Sequence, residues 1–221
     1  SDVCSSDLSL LDSCVWLDGD VPAAMAVVAR RGDEARLAAF AMRPAYRGKG
    51  VGRRLMGSLL DALREQGVRR MWLEVIRDNH AAVALYHSLG FEVRHGLCGY
   101  LSAQTASEES SVLQEYDVLA LTRRAGAELN GQLPWLMDPL TFSTLPCRAL
   151  SLHQQAFAVL ATLSSRPQLQ FLWVEPAARG RGLGREMLMA LARQFPGLGT
   201  SVTIPERFTP LFQTAGYTPG V

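Results

Sequence analysis

The chain has 221 residues, of which 48% are hydrophobic and 19% charged, with a formal net charge of +1. This is a globular composition sized for one large or two small domains at roughly 100–200 residues each, and its near-neutral balance argues against a nucleic-acid surface. Its apolar runs, such as Pro22–Ala29 and Ala156–Leu163, fall far short of the ~18 residues of a membrane span; Cys4, Cys14, Cys98 and Cys147 have no metal-ligand spacing and read as reduced thiols of a cytoplasmic protein.

In chain order, residues 1–8 read as a non-native tail and are set aside. Val15–Leu17, Ala23–Arg30 and Ala35–Met42 then read as a β-meander, separated by Asp18-Gly19-Asp20 and Arg31-Gly32-Asp33-Glu34 turns. Val51, Leu55, Leu59 and Leu63 form one apolar helix face ended by Gly67, and Met71–Ile76 is a buried strand. A second helix carries Ala82, Leu85, Tyr86 and Leu89 and closes at Gly90. Phe91–Leu101 and Glu115–Leu121 read as strands around a Ser/Glu-rich loop at 102–111, and a linker begins near Arg123-Arg124-Ala125-Gly126. The pattern then restarts: strands at Cys147–Leu152, Ala156–Thr162 and Gln168–Val174, a helix face of Leu183, Met187 and Leu191, a strand at Ser201–Ile204 and a helix at Pro205–Ala215.

One stretch occurs twice. Arg47-Gly48-Lys49-Gly50-Val51-Gly52-Arg53 follows the third strand and opens a helix, and Arg179-Gly180-Arg181-Gly182-Leu183-Gly184-Arg185 does the same in the second half. Glycines at alternate positions let the backbone take positive φ and turn consecutive N–H groups toward one anion at a helix N-terminus, with arginine and lysine charge beside it. Two such cradles at matching places indicate a duplicated unit, with domains expected at 9–124 and 125–221. The Gly-x-Gly-x-Gly spacing and the preceding meander disfavour a dinucleotide-binding βαβ unit, and neither copy carries the Gly-Lys-Ser/Thr of a nucleotide triphosphatase.

Both cradles resemble the pyrophosphate loop of the GNAT superfamily of acetyl-CoA-dependent N-acetyltransferases. The run from Leu73-Glu74-Val75 through Asn79, Ala82, Leu85-Tyr86 and Gly90-Phe91 is similar to the signature of its ribosomal-protein N-terminal acetyltransferases. The resemblance implies an α/β fold of two tandem acyl-CoA N-acyltransferase domains, each a mixed central sheet flanked by helices. The first is expected to lack its opening strand and helices and the second its closing strands. It also implies acetyl-CoA as cosubstrate, a primary amine as acceptor (a protein N-terminus or a small amine), and a monomer or homodimer.

Carried over by position, the resemblance makes Glu74 the general base, Tyr86 the acid for the departing thiolate, Asn79 the residue orienting the cofactor arm, and the backbone near Met42 the oxyanion donor. Each has a plainer reading: Glu74 as a strand carboxylate paired with an arginine, Tyr86 as core, Asn79 as a helix N-cap. Aligning Gly90-Phe91 with Gly216-Tyr217 sets Val202, Pro205 and Phe212 in the places of Glu74, Asn79 and Tyr86. The second half thus keeps a cradle without catalytic groups. Two other readings stay open: a non-catalytic CoA-binding scaffold, and a small-amine enzyme similar to the tandem acetyltransferases of mycothiol synthesis.

Overall fold

The computed structural model describes residues 8–103, 112–129, 133–142, 145–162 and 167–220. The chain divides into two compact units, Ser1–Val93 and Arg94–Val221, earlier than the 124/125 boundary expected from the sequence.

In the first unit, β1 (Leu8–Asp18), β2 (Val21–Arg31) and β3 (Glu34–Met42) form the meander. Each hairpin is closed by a two-residue Gly-Asp loop whose glycine has positive φ, 61° at Gly19 and 59° at Gly32, which suits tight turns between twisted strands. β1 is much longer than the three residues expected. It takes in Leu8, which the sequence reading had assigned to a tail; residues 1–7 lie outside the described part. Helix α1 (Val51–Glu65) crosses back to β4 (Arg70–Leu73), which pairs parallel with β3, and α2 (His80–Ser88) follows. Met56, Leu59 and Leu63 of α1 bury against Ala26, Val28, Ala35 and Leu37 of the sheet, each large side chain contributing roughly 1.5–3 kcal/mol by leaving water.

The second unit opens with β5 (Leu97–Cys98), β6 (Tyr100–Ser102) and β7 (Gln114–Tyr116), and continues through α3 (Val118–Leu129) and α4 (Pro139–Phe142). The meander β8 (Cys147–Leu152), β9 (Ala156–Ala161), β10 (Gln168–Val174) follows, then α5 (Leu183–Gln194), β11 (Gly199–Thr200), β12 (Ile204–Pro205), α6 (Thr209–Thr214) and β13 (Tyr217–Pro219). Its main sheet runs β13-β6-β11-β10-β9-β8-β7, and β5 pairs with β12. The core lies where Met187, Leu188 and Leu191 of α5 meet Leu150, Leu152, Ala158, Leu160 and Leu169 of the sheet.

Several expected elements change here. Phe91–Leu101 is not one strand of the first unit: its end supplies β5 and β6, and β6 lies between β11 and β13, antiparallel to both. Glu115–Leu121 is a strand only to Tyr116. Beyond it the Asp117 carboxylate accepts the Ala120 N–H at 2.6 Å and starts α3, so the expected linker at Arg123–Gly126 is helical. Ser102 is a buried strand residue rather than loop, and 104–111 lie outside the described part. Of Ser201–Ile204 only Ile204 is a strand residue, opening β12 after β11 has ended at Thr200, and the helix expected from Pro205 begins only at Thr209, after a short turn at Glu206–Phe208.

Candidate functional site

β3 carries an extra residue. Its pairing with β2 steps from Val27↔Ala39 to Val28↔Leu37, leaving Ala38 as a bulge, and its parallel pairing with β4 stops at Leu37↔Leu73. Beyond this point β3 runs on to Met42 while β4 has ended, so the two part and leave a cleft between them. The second unit repeats this: β10 is bulged at Gln170, between Leu169 and Phe171, and its pairing with β11 stops at Leu169↔Thr200. Bulges of this kind re-aim strands beside functional sites.

Each bulged strand leads into a cradle. After Met42 a turn at Pro44–Tyr46 brings Arg47 back so that its Nε donates to the Met42 carbonyl at 2.9 Å. Gly48 and Gly50 have φ of 71° and 72°, and Gly50 is the N-cap of α1, with no side chain capping the helix. The first α1 amides, from Val51 through Arg53, thus open onto the cradle with Lys49 beside them, a ready anion site. The glycines have different reasons. A Cβ on Gly48 or Gly50 would meet nothing within 4 Å, so these positions are demanded by backbone conformation, whereas a Cβ on Gly52 would come 3.2 Å from Met42 Cε and 3.6 Å from Leu85 Cδ2. Gly52 is what lets α1 start hard against β3 and α2.

The second cradle repeats these contacts. Arg179 Nε donates to the Val174 carbonyl at 3.0 Å, Gly180 and Gly182 have φ of 75° and 82°, and Gly182 caps α5. Leu183, Gly184 and Arg185 line a hollow with Val174 and Leu211, and Arg185 Nε donates to the Thr214 carbonyl at 2.8 Å. Arg181 and Arg53 are exposed.

In the first unit the remaining candidates lie just past the end of β4 and at the start of and within α2. Glu74 directly follows the last residue of β4 and accepts from Arg36 Nε at 2.8 Å, so the plainer reading of it as an arginine's partner is part of the geometry. Asn79 caps α2, its Oδ1 accepting the Ala82 N–H at 3.2 Å. Tyr86 lies one residue beyond Leu85, the α2 side chain that reaches Gly52. Its ring packs on the unit's core and edge-on to Phe91 at 5.8 Å, and burial pushes its phenol above the usual range. Among the described residues its hydroxyl has no hydrogen-bond partner, nor do any three potential ligands gather to hold a metal.

Residues 6–91 match the model of the Acetyltransferase (GNAT) family. The match covers nearly all of the first unit. The ribosomal protein bS18-alanine N-acetyltransferase of Escherichia coli strain K12 is 51% identical over 59 residues, 27% of this chain and 40% of that protein. The chain thus spans less than half the length of that curated relative. Two solved structures share the GNAT fold. A GCN5-related N-acetyltransferase from Sphaerobacter thermophilus has a TM-score of 0.59 at 17% identity, covering 90% of this chain and 74% of its own. A tandem GNAT protein from the clavulanic acid biosynthesis pathway has 0.57 at 14%, covering 93% and 78%.

Against the first unit the second half departs in substance. With Leu37↔Leu73 matched to Leu169↔Thr200, the step occupied by Glu74 falls on Ser201, one residue before the expected Val202. Ser201 Oγ bonds Thr203 Oγ1 at 2.8 Å, and Val202 is 72% exposed. Pro205 pairs with Leu97 in β12–β5 and leads into the turn Glu206–Phe208 with no side-chain cap to offer. Phe212, at the aligned place of Tyr86, is a core ring stacked on Tyr100 at 4.4 Å and 7°. The sequence reading missed Arg36; the signal for it was a charged residue within an otherwise alanine- and leucine-rich strand.

Proposed function

We propose that the first unit transfers the acetyl group of acetyl-CoA to a primary amine, with the α-amine of a protein N-terminus as the leading class of acceptor. Support comes from one juxtaposition: an uncapped glycine cradle at the end of a bulged strand, beside a cleft with a carboxylate at its mouth and a phenol on the next helix. The ribosomal acceptor in the relative's name motivates the choice of an N-terminal amine.

The cradle fits the pyrophosphate of acetyl-CoA, because its amides are unclaimed by any side-chain cap and Gly48 and Gly50 have open space around them. Val51, Gly52 and Arg53 hold the phosphates by backbone N–H, Arg47 braces the loop, and Lys49 and Arg53 add charge. The cosubstrate brings an acyl group activated as a thioester. An amine with an ordinary pKa near ~10 is mostly protonated at neutral pH, so Glu74 takes its proton, directly or through one water, and frees the lone pair for attack. Backbone N–H groups of β3 beyond the Ala38 bulge, where β4 no longer pairs, steady the carbonyl oxygen as it gains charge. Tyr86, kept neutral by its burial, donates to the departing sulfur. Asn79 has its Oδ1 committed to the helix cap, which leaves Nδ2 to face the cosubstrate's arm.

The second unit, in this reading, holds a CoA-type group or only braces the fold, since Ser201, Pro205 and Phe212 stand where Glu74, Asn79 and Tyr86 do the chemistry. Among the described residues no helix is long and apolar enough to cross a membrane, and the described cysteines are free thiols, which favours a cytoplasmic setting. Mass-spectrometric acetylation of an alanine-initiated peptide, for the parent, Glu74→Gln and Tyr86→Phe, tests the assignment. Acetylated α-amine with the parent and little with either variant is expected; equal product from all three contradicts it.

A further inference from the structure

Arg36 is a buried cation in an apolar strand. Its side chain is 7% exposed against 23% for Glu74, and its neighbours in register are Ala29 on β2 and Trp72 on β4. It spends a single donor on Glu74: Nε meets Oε2 at 2.8 Å, while Nη1 is buried without a hydrogen-bond partner among the described residues. A guanidinium placed for stability would take the carboxylate with two parallel bonds or give way to an apolar side chain. The one-pronged grip leaves Glu74 Oε1 without a protein donor among the described residues.

The second unit supplies an internal comparison. With Leu37 matched to Leu169, Gln168 stands at the step of Arg36 and Ser201 at that of Glu74. The unit that lacks the carboxylate also lacks the arginine, although it keeps the bulge and the cradle. The two charges are present together or absent together.

We propose that Arg36 is the positioning residue of the first site: by holding Glu74 Oε2 from inside the sheet, it aims Oε1 into the cleft where the acceptor amine gives up its proton. Arg36 touches neither substrate, and the proposal rests on the acetyl-transfer reading with Glu74 as base. The proton passes from the ammonium nitrogen to Oε1, and Arg36 stays protonated throughout.

A double-mutant cycle on the full chain tests this, with acetyl-CoA and an alanine-initiated peptide in single-turnover format. Arg36→Met should lower the rate by about 10²-fold, the loss expected for a misplaced reacting group, with acetyl-CoA affinity unchanged in calorimetry. Arg36→Lys, which keeps the charge without the fork, should recover part of it. In a Glu74→Gln background the same Arg36→Met change should cost less than twofold, because a residue that acts through Glu74 has nothing left to act on. Equal losses in both backgrounds would overturn the proposal by showing a merely structural role. A Glu74→Gln variant as active as the parent would instead sink the base assignment itself, and this proposal with it. A crystal structure of Arg36→Met supplies a readout independent of turnover: a Glu74 carboxylate that keeps its rotamer and aim without any cation at position 36 would also overturn it.

Discussion

Glu128 holds Arg179. Its Oε1 lies 2.6 Å from Arg179 Nη2 and its Oε2 accepts the Trp173 indole N–H at 2.9 Å, so the cradle arginine of the second unit has a carboxylate from α3 against it. Among the described residues Arg47, its counterpart, has no such anion. The pair is partly exposed and contributes little to stability, about 0–1 kcal/mol, but its negative charge opposes a phosphate arriving at the same loop. Glu128→Gln, in a chain whose first cradle is disabled by Gly50→Val, should therefore raise CoA affinity severalfold in calorimetry with little change in Tm. An unchanged or weaker affinity would mean that the second cradle is not an anion site.

Gly50 and Gly52 separate conformation from room. At Gly50, with φ 72° and open space, Gly50→Ala pays for a left-handed backbone, roughly 1–2 kcal/mol, and should weaken CoA binding by twisting the amides away. Gly52→Ala meets Met42 Cε at 3.2 Å, the tip of a flexible side chain, and should cost less. Urea unfolding and CoA calorimetry on both variants check the order; a larger loss from Gly52→Ala would reverse the explanation.

In the proposed mechanism Tyr86 sets the alkaline side. Burial raises its phenol above the ordinary value of ~10, so the acid form persists past that pH and is lost only as pH rises through the raised value. The alkaline limb of the rate should accordingly lie above ~10 for steps limited by thiolate departure, and Tyr86→Phe should remove most turnover while leaving CoA binding nearly intact. Difference ultraviolet titration of parent against Tyr86→Phe locates the phenolate directly; a midpoint at or below the ordinary value would contradict the burial argument.

Tyr217 makes the corresponding statement about stability. Its hydroxyl donates to the Leu188 carbonyl at 3.1 Å inside the second core, and burial moves its ionisation strongly upward. The folded state binds this proton more tightly than the unfolded chain, so the contribution is complete below ~10 and declines as pH rises from there toward the folded value. Tyr217→Phe should flatten the fall in Tm above ~pH 10, at the cost of one buried hydrogen bond to a helical carbonyl, about 0.5–1.5 kcal/mol at neutral pH. An identical alkaline slope in both proteins would assign it to other groups.

The legible parts of the chain were those written locally. Cys147–Leu152 and Gln168–Val174 are apolar runs bounded by turn residues, and the structure returns them with the same ends; the two cradles need glycine at fixed offsets, and glycine is visible. The bulges at Ala38 and Gln170 left no mark, because an extra strand residue changes pairing and not composition. β6 was assigned to the first half since its partners, Gly199 in β11 and Tyr217–Pro219 in β13, lie about a hundred residues away and no local pattern announces them. Val118–Leu121 fell within the strand expected over Glu115–Leu121, although Asp117 inside that span was an available helix-start signal. At the site, the types of Glu74, Asn79 and Tyr86 were readable from a motif, but the grip of Arg36 on Glu74 needed the register of β3 against β4.

In the proposed function, chemistry resides in the first unit and depends on Glu74 and Tyr86. Single-turnover acetyl transfer from acetyl-CoA to an alanine-initiated peptide, normalised to folded protein, tests it most directly when Glu74→Gln, Tyr86→Phe and Gly182→Val are run beside the parent. Losses on the order of 10²–10⁴-fold are predicted for the first two, with Gly182→Val close to the parent per folded molecule. A folded but inactive Gly182→Val beside active Glu74→Gln and Tyr86→Phe would contradict the account and move catalysis to the second unit.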